Sequence, residues 1–386
     1  MSNNDESKRV YLDYASSTPM DQEVLDLYVK NSRYFANPSS IHDSGYNAKK
    51  ILEDSRQKIA KIAGCQARDI IFTGSGTEAN NLAILGTARA NRVFGRHIIM
   101  SSIEHASIRN LKPVLEQEGF EVTELPVSSN GLIDIENLKS LIRQDTILIS
   151  IIYVNNEIGV VQNIRKIGAE LRQWRADNKS TNHPIFHTDA CQASGLFNIN
   201  SGDLNLDLMA LNSSKVGGPK GAGCLVKRGG IKLEPLIYGG EQEFGYRAGT
   251  ENVAGISAFA LALEKAQEDR ASEYERLVII RKKAIELLSA NFKDIKIIDF
   301  RSQSPHILAF SLPNEDGESL VIKMSQVGFD ISSGSACSVG REPVSHVVQA
   351  LKTTPEYERG FLRLSFGRMT TTEDILKFVE TLAKLC

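Results

Sequence analysis

Between about residues 70 and 230, short runs rich in β-branched residues alternate with longer amphipathic stretches. This alternation is typical of a mostly parallel α/β sheet. Ligands of such sheets bind beyond the carboxyl ends of the strands, so the turns that follow the strands are where a functional site is expected. The predicted strands are Ile70 to Phe72, His97 to Met100, Val122 to Leu125, Ile147 to Val154, Pro184 to His187 and Leu208 to Leu211.

The pattern changes after Thr250, where a helical pattern runs from about Ile256 to Asn291. A smaller α+β domain is predicted to follow. We place the large domain at residues 15–260 and the small domain at residues 1–14 plus 261–386, since 386 residues exceed one core of ordinary size. The later predicted elements are strands at Ile295 to Asp299 and His306 to Ser311, a helix near Ser319 to Val327, and a closing helix from Thr372.

The composition is that of an ordinary soluble protein. A charged fraction of 24% and a net charge of -2 predict no direct nucleic-acid partner. The longest apolar run, Ile147 to Val154, is far shorter than the roughly 20 residues that span a bilayer, so no membrane partner is predicted. Residues 1–9 lack the apolar stretch of a secretory signal, and the five cysteines show no paired metal-ligand spacing. We therefore expect a cytoplasmic protein without a metal site.

A glycine-rich turn, Thr73 to Glu78, lies between a predicted strand and a predicted helix. Such a turn directs backbone N–H groups and the positive end of the helix dipole toward a phosphate. Thr77 would add a hydroxyl donor. The alternative is an ordinary capped turn, and the local sequence leaves both interpretations open.

Two further turns place polar side chains after strands. Asp189 could keep a pyridine nitrogen protonated, or it could cap a helix. Lys215 directly follows a buried strand, and a desolvated lysine has a lowered pKa and can bond covalently to an aldehyde. It could equally be a solvated turn lysine, as Lys220 is expected to be, and the sequence pattern does not separate the two.

A loop of small residues, Ser332 to Gly340, carries Cys337. A cysteine on such a loop is expected to be exposed and reactive, in contrast to a buried thiol. The alternative is an incidental thiol.

Taken in order, these segments resemble the cysteine desulfurases of the class V aminotransferase group over nearly the whole chain. The resemblance implies a pyridoxal-phosphate-dependent transferase of fold type I, with a large, mostly parallel sheet domain and a smaller α+β domain, that acts as a homodimer. The other motifs that carry it are Tyr11 to Ala15, Asn37 to His42, Glu104-His105, Asn155 to Gly159, Asp189 to Gln192, Arg247 to Asn252 and Arg363.

The resemblance also implies roles at the cofactor ring. Lys215 would be the Schiff-base lysine, Asp189 the partner of the pyridinium nitrogen, and Gln192 a neighbour of the ring hydroxyl. His105 would stack on the ring and transfer protons.

For the cofactor phosphate, the resemblance implies Gly76, Thr77 and Ser213, with Thr250 contributed by the other subunit. Arg363 would clamp the substrate carboxylate, assisted by Asn155, which also counts among the cofactor-binding residues.

In the implied reaction, Cys337 attacks the sulfur of L-cysteine, which leaves alanine and a persulfide on Cys337. The length of the cysteine loop resembles the branch of the family that serves iron–sulfur cluster assembly or tRNA thiolation, so a sulfur-acceptor protein is expected as a partner. The alternatives are a selenocysteine lyase, a related lyase or transaminase, or a non-catalytic relative that binds partners.

The chain departs from the family pattern beside Lys215. Ser214, counted among the cofactor-binding residues, stands where the family usually has a histidine that binds the phosphate, and Asn212 stands where serine is frequent. Because serine is shorter than histidine and carries no positive charge, weaker cofactor binding is predicted.

Overall fold

The computed structural model describes residues 9–180, 183–334, 345–352 and 354–386. The strands within these ranges are β1 (Val10–Tyr11), β2 (Ile70–Thr73), β3 (His97–Ser101), β4 (Glu121–Leu125), β5 (Thr146–Ser150), β6 (Ile185–Asp189), β7 (Leu208–Asn212), β8 (Gly223–Lys227), β9 (Lys296–Ile298), β10 (Ile307–Ser311), β11 (Phe329–Asp330) and β12 (Phe361–Ser365).

The helices within the same ranges are α1 (Gln22–Asn31), α2 (Asp43–Ala63), α3 (Gly76–Asn81), α4 (Thr87–Asn91), α5 (Ala106–Arg109), α6 (Lys112–Gln117), α7 (Ile135–Leu141), α8 (Ile164–Asp177), α9 (Ser201–Leu204), α10 (Val253–Glu268), α11 (Arg270–Asn291), α12 (Gly317–Gln326), α13 (His346–Ala350), α14 (Pro355–Arg359) and α15 (Thr372–Leu385). A π-helical turn, Leu82–Gly86, connects α3 to α4.

The larger sheet has seven strands in the order β2-β8-β7-β6-β5-β3-β4. All neighbouring pairs are parallel except those of β8, which runs antiparallel to β2 and β7. The α/β architecture and all six predicted strands are confirmed. Every residue of β3, β5 and β6 is buried, which explains the apolar runs in the middle of β3 and β5 and at the start of β6. The predicted run to Val154 is too long, since β5 ends at Ser150.

A second, three-stranded antiparallel sheet has the order β12-β10-β9. Its core includes Phe310, Leu362 and Phe378, so β10 and β12 share a core with α15. The predicted strands and helices of this region are confirmed, but the single helix predicted from Ile256 to Asn291 is two helices, α10 and α11, separated at Asp269. The boundary predicted at residue 260 falls inside α10, and the division into domains stays a prediction.

The N-terminal segment connects the two sheets. β1 pairs in parallel with β11, and isolated bridges join Asp13 to Ser365 and Ser332 to Arg363. The carbonyl oxygen of Ala15 also accepts hydrogen bonds from Gln192 and Lys215. Residues 13–16 and β12 therefore lie beside the carboxyl ends of the larger sheet, where β6 and β7 end at Asp189 and Asn212. In the part of the chain that the structure describes, no helix is long and apolar enough to cross a membrane.

A buried ion pair anchors the segment after β8. The guanidinium of Arg56 donates to both oxygens of Glu243, over 2.8 and 2.7 Å, and the two side chains are only 3% and 1% exposed. Arg56 also donates to the carbonyl oxygen of Ile70 over 2.8 Å. The segment around Glu243, which leads to Arg247 and Thr250, is thus fixed to the edge of the larger sheet.

Replacing Glu243 by alanine is expected to destabilise the protein by about 3–5 kcal/mol, because the buried charge of Arg56 loses its partner. Urea unfolding at fixed protein concentration measures this loss. Glu53 is the control, since it contacts the same guanidinium at 3.2 Å but is 40% exposed. Glu53→Ala should cost no more than about 1 kcal/mol. Equal losses of unfolding free energy in the two variants would contradict the prediction that the buried ion pair contributes more to stability than the exposed one.

Candidate active site

A cavity of about 790 Å³ opens beyond the carboxyl ends of the larger sheet. It is lined by elements of both sheets and by the N-terminal segment. Of the residues singled out in the sequence, the structure brings together on this cavity Gly76, Thr77, His105, Asp189, Gln192, Lys215 and Arg363.

Lys215 follows β7 in a short 3-10 turn and lines the cavity. Its ammonium donates hydrogen bonds to the carbonyl oxygens of Ala15, over 2.8 Å, and Ser16. Burial lowers the pKa of Lys215, which makes its amine easier to deprotonate. Lys220 is exposed and does not line this cavity, so the geometry separates two lysines that the sequence could not.

Asp189 ends β6 with both carboxylate oxygens engaged. Oδ1 accepts from the backbone N–H of Cys191 at 2.9 Å, and Oδ2 accepts from Nδ2 of Asn80 at 2.7 Å. Asn80 also donates to Oγ of Ser107 over 2.9 Å. The carboxylate is therefore held in one orientation at the cavity wall.

His105 precedes α5 and is connected to this network through Ser107. The backbone N–H of Ser107 donates to Nδ1 of His105 over 3.1 Å, and Oγ of Ser107 lies 2.8 Å from the same nitrogen. Because Nδ1 accepts these bonds, the imidazole is neutral with its proton on Nε2. Burial also lowers the pKa of His105, which favours the same neutral form.

Gln192 is fixed from two sides. Its Nε2 donates to the carbonyl oxygen of Ala15 over 2.7 Å, and its Oε1 lies 3.2 Å from Nε2 of His306. Burial lowers the pKa of His306 to about 3, so this buried histidine stays neutral where it contacts Gln192.

The glycine turn is packed so closely against its neighbours that a side chain at Gly76 would not fit. A Cβ atom added to Gly76 would lie 2.6 Å from Sγ of Cys191 and 3.1 Å from Cβ of Asn212. Ser75 caps α3 by accepting from the N–H of Glu78 over 3.1 Å. The first N–H groups of a helix have no partner within it, so this close-packed turn suits an anionic group.

The structure separates the three polar residues before Lys215. Asn212 lines the cavity, whereas Ser213 and Ser214 do not. Oγ of Ser213 is buried without a hydrogen-bond partner among the described residues. Oγ of Ser214 lies 3.4 Å from Oδ1 of Asn212, and its backbone N–H is at the same distance from that oxygen. Two donors thus face Oδ1 of Asn212.

Arg363, on β12, is buried at the cavity wall. Its Nη1 donates to the carbonyl oxygen of Asn156 over 2.9 Å, and its Nη2 donates to Oδ1 of Asp13 over 2.6 Å. Nε has no hydrogen-bond partner among the described residues. Since a guanidinium has five N–H groups, donors remain for an anionic ligand.

Besides Ser213 and Ser214, three more predicted site residues are not brought to this cavity by the described structure. The side chain of Asn155 bonds to the backbone, accepting from the N–H groups of Glu157 and Ile158 and donating to the carbonyl oxygen of Ile103, each over 2.9 Å. Thr250 is exposed and does not line the cavity of its own chain. Cys337 lies outside the described residues.

Several residues that line the cavity were not among the predicted site residues: Asn80, Ser107, Asn156, Glu157 and Asn212. Asn156 and Glu157 belong to the motif Asn155 to Gly159, of which only Asn155 was predicted as a site residue. No signal in the sequence pointed to Asn80 or Ser107, whose importance depends on contacts across the fold. The described residues contain no cluster of three or more histidine, cysteine or acidic side chains suited to a metal ion.

Comparison with known proteins agrees with this geometry. Residues 10–378 match the family described as Aminotransferase class-V. A relative named cysteine desulfurase IscS, from Dictyoglomus turgidum, is 39% identical over 382 residues, which cover 98% of this chain and 94% of the relative.

Two solved structures are also similar. One, described as a NifS-like protein, has a TM-score of 0.90 and 31% identity and covers 98% of this chain and 99% of its own. The other, described as SspA in complex with cysteine, has a TM-score of 0.80 and 32% identity and covers 92% of this chain and 98% of its own. The chain therefore belongs to the aminotransferase class-V family and, within it, to the cysteine desulfurases.

Proposed function

We propose that the protein is a pyridoxal-phosphate-dependent cysteine desulfurase, which converts L-cysteine to L-alanine and passes the sulfur to Cys337 as a persulfide. The observation that carries the proposal is the convergence of Lys215, Asp189, His105 and Arg363 on one cavity. This chemistry requires a reactive amine, a fixed carboxylate, a neutral imidazole and a guanidinium.

The cavity residues fit pyridoxal phosphate. The N–H groups that open α3 at Gly76 and Thr77, which line the cavity, suit its phosphate. Asp189 suits a protonated ring nitrogen, and Lys215 suits its aldehyde. When bound, the cofactor supplies an electron sink for negative charge that develops on the substrate. Gln192, bonded to the carbonyl of Ala15, would border the ring hydroxyl.

The chain's own groups then move protons and orient the substrate. Lys215, with its lowered pKa, can exchange a proton at Nζ. His105 presents a protonated Nε2, since its Nδ1 accepts from Ser107. Arg363 would bind the substrate carboxylate. We assign the assisting role to Asn156, which lines the cavity, in preference to the predicted Asn155, whose amide is bonded to the backbone.

The sulfur-accepting role of Cys337 depends on sequence and family membership. The described residues on either side of segment 335–344, Gly334 and Ser345, both line the cavity. A persulfide formed on that segment would pass to an acceptor protein in iron–sulfur cluster assembly or tRNA thiolation. The cytoplasmic location stays a prediction from the sequence.

We further propose a homodimer. Several large apolar side chains are exposed in residues 33–46 and 237–244, and Phe35 and Ile41 are the most exposed of them. Thr250 follows the second of these segments, and Arg247 anchors it to the glycine turn through an ion pair with Glu78 at 2.9 Å. Thr250 is exposed beside this apolar surface and does not line its own cavity, which leaves it available to contact the phosphate in the partner's cavity, as the resemblance to the family implies.

The function is tested by mixing the purified protein, loaded with pyridoxal phosphate, with L-cysteine and a thiol reductant. We expect alanine and sulfide in equal amounts. Alanine formation without sulfide, or no reaction at all, would contradict the proposal. Cys337→Ser should keep the cofactor absorbance but lose sulfide release.

We assign a phosphate-donor role to the side-chain amide of Asn212, which lines the cavity, in preference to the predicted Ser213, which does not. This assignment can be tested by cofactor binding alone. We expect Asn212→Ala to weaken pyridoxal phosphate binding by about 10- to 150-fold, which corresponds to one charge-assisted hydrogen bond of about 1.5–3 kcal/mol. Binding of pyridoxal, which has no phosphate, should change little. Fluorescence titration measures both affinities, and the same titration of Ser214→His tests the tighter binding expected from the sequence. Equal losses for the two ligands would remove Asn212 from the phosphate site.

A further inference from the structure

Glu157 is a buried carboxyl group on the cavity wall that the proposed roles do not use. The residue is only 7% exposed and lines the cavity. Its Oε2 atom has no hydrogen-bond partner among the described residues. A buried carboxylate oxygen without a partner is unfavourable, so its retention at a cavity points to a role toward a ligand.

The backbone around Glu157 holds this carboxyl group in place. Asn155 accepts from the N–H groups of Glu157 and Ile158, each over 2.9 Å. Gly159 has a φ of +71°, and a Cβ atom there would lie 3.0 Å from Ile307, so the turn is closely packed against β10. The carboxyl group is therefore presented to the cavity by a rigid turn.

The position of Glu157 relative to the substrate follows from its charged neighbours. Arg363 acts electrostatically on both Lys215 and Glu157, and it donates a hydrogen bond to the carbonyl oxygen of Asn156. A substrate with its carboxylate on Arg363 and its amine toward Lys215 presents its side chain to the remaining cavity wall. Glu157 lines the cavity next to Gly334, since its Oε2 is 3.3 Å from the position that a Cβ atom on Gly334 would take, and we infer that this part of the wall faces the substrate side chain.

We propose that Glu157 is a specificity-determining residue, which favours a neutral substrate side chain and repels an anionic one. The inference rests on the proposed function. The thiol of cysteine is mostly neutral at neutral pH, with a pKa of about 8.5, whereas the sulfinate of oxidised cysteine is anionic. A carboxylate in a buried cavity repels a second negative charge far more strongly than it would in water. Glu157 thereby selects cysteine over its oxidised form and over acidic amino acids.

Burial raises the pKa of Glu157 to about 7, and the hydrogen bond from Ser345 and the charge of Arg363 oppose this rise. At pH 8 the carboxyl group is therefore mostly ionised, and the test is carried out at this pH.

L-Aspartate and L-asparagine are the probes, because they have nearly the same size, differ in charge and contain no sulfur to transfer. Their binding to the holoenzyme is measured from the change in cofactor absorbance, without turnover.

We expect Glu157→Gln to tighten L-aspartate binding by about tenfold or more and to change L-asparagine binding by less than about threefold. Glu157→Asp keeps the charge and should retain the discrimination of the wild-type enzyme. An unchanged ratio of the two affinities in Glu157→Gln, or a ratio altered equally in Glu157→Asp, would overturn the proposal.

Glu104→Gln is the matched control. Glu104 is also buried with one unpartnered oxygen, and burial raises its pKa to about 8, but it does not line the cavity. Its substitution should leave the ratio of L-aspartate to L-asparagine affinity unchanged. A change as large as that of Glu157→Gln would contradict a local effect of Glu157. Because the probes require no desulfurase turnover, failure of L-cysteine conversion would be distinguishable from failure of this proposal.

Discussion

Replacing Lys215 by alanine is expected to abolish the visible absorbance of lysine-bound cofactor and to lower desulfurase activity by at least about 10³-fold. The physical reason is that Lys215 combines a place on the cavity wall with a pKa lowered by burial. An absorbance spectrum of the variant after reconstitution with pyridoxal phosphate, followed by an alanine assay, measures both effects.

Lys220→Ala is the control for this prediction, because Lys220 is only five residues away but exposed and outside the cavity. It should retain the absorbance and most of the activity. The opposite pattern, with absorbance lost in Lys220→Ala and kept in Lys215→Ala, would reverse the assignment of the cofactor lysine.

Arg363→Lys should lower kcat/KM for L-cysteine by about 10- to 150-fold, since one charge-assisted hydrogen bond contributes about 1.5–3 kcal/mol. Lysine keeps the charge but lacks the fork of N–H groups that can bind Asp13, Asn156 and a carboxylate together. Steady-state kinetics measures the loss, and cofactor absorbance in the same preparation shows whether the cavity is intact. An unchanged kcat/KM would rule out the clamp.

Much of the larger sheet could be predicted because its strands are buried and hence strongly apolar. Two of the strands that were not predicted, β8 and β12, escaped for other reasons. β8 follows the glycine turn after Lys215 directly and pairs antiparallel, so it breaks the alternation of strand and helix. β12 contains Arg363, whose charge interrupts the apolar run and is tolerated only because Asp13 and Asn156 pair with it.

The sequence was most informative where one residue type is indispensable to the proposed chemistry, as with Lys215 and Asp189, both of which line the cavity. It was least informative where neighbouring polar residues could serve equally well. Asn155 and Asn156 are both amides, and only the fold shows that the first bonds to the backbone while the second lines the cavity. The same applies to Asn212 and Ser213, because the side-chain directions in the turn after β7 cannot be read from the sequence.

The central claim is that sulfur leaves L-cysteine and is transferred to Cys337. It is tested most directly by a single turnover without reductant, in which the holoenzyme is mixed with one equivalent of L-cysteine. Alanine is then quantified, and each cysteine is examined by peptide mass spectrometry. We expect one alanine per active site and the added mass of one sulfur atom on Cys337, with Cys65, Cys191, Cys224 and Cys386 unchanged. Alanine formed with no added sulfur on Cys337, or with the sulfur on another cysteine, would contradict this account.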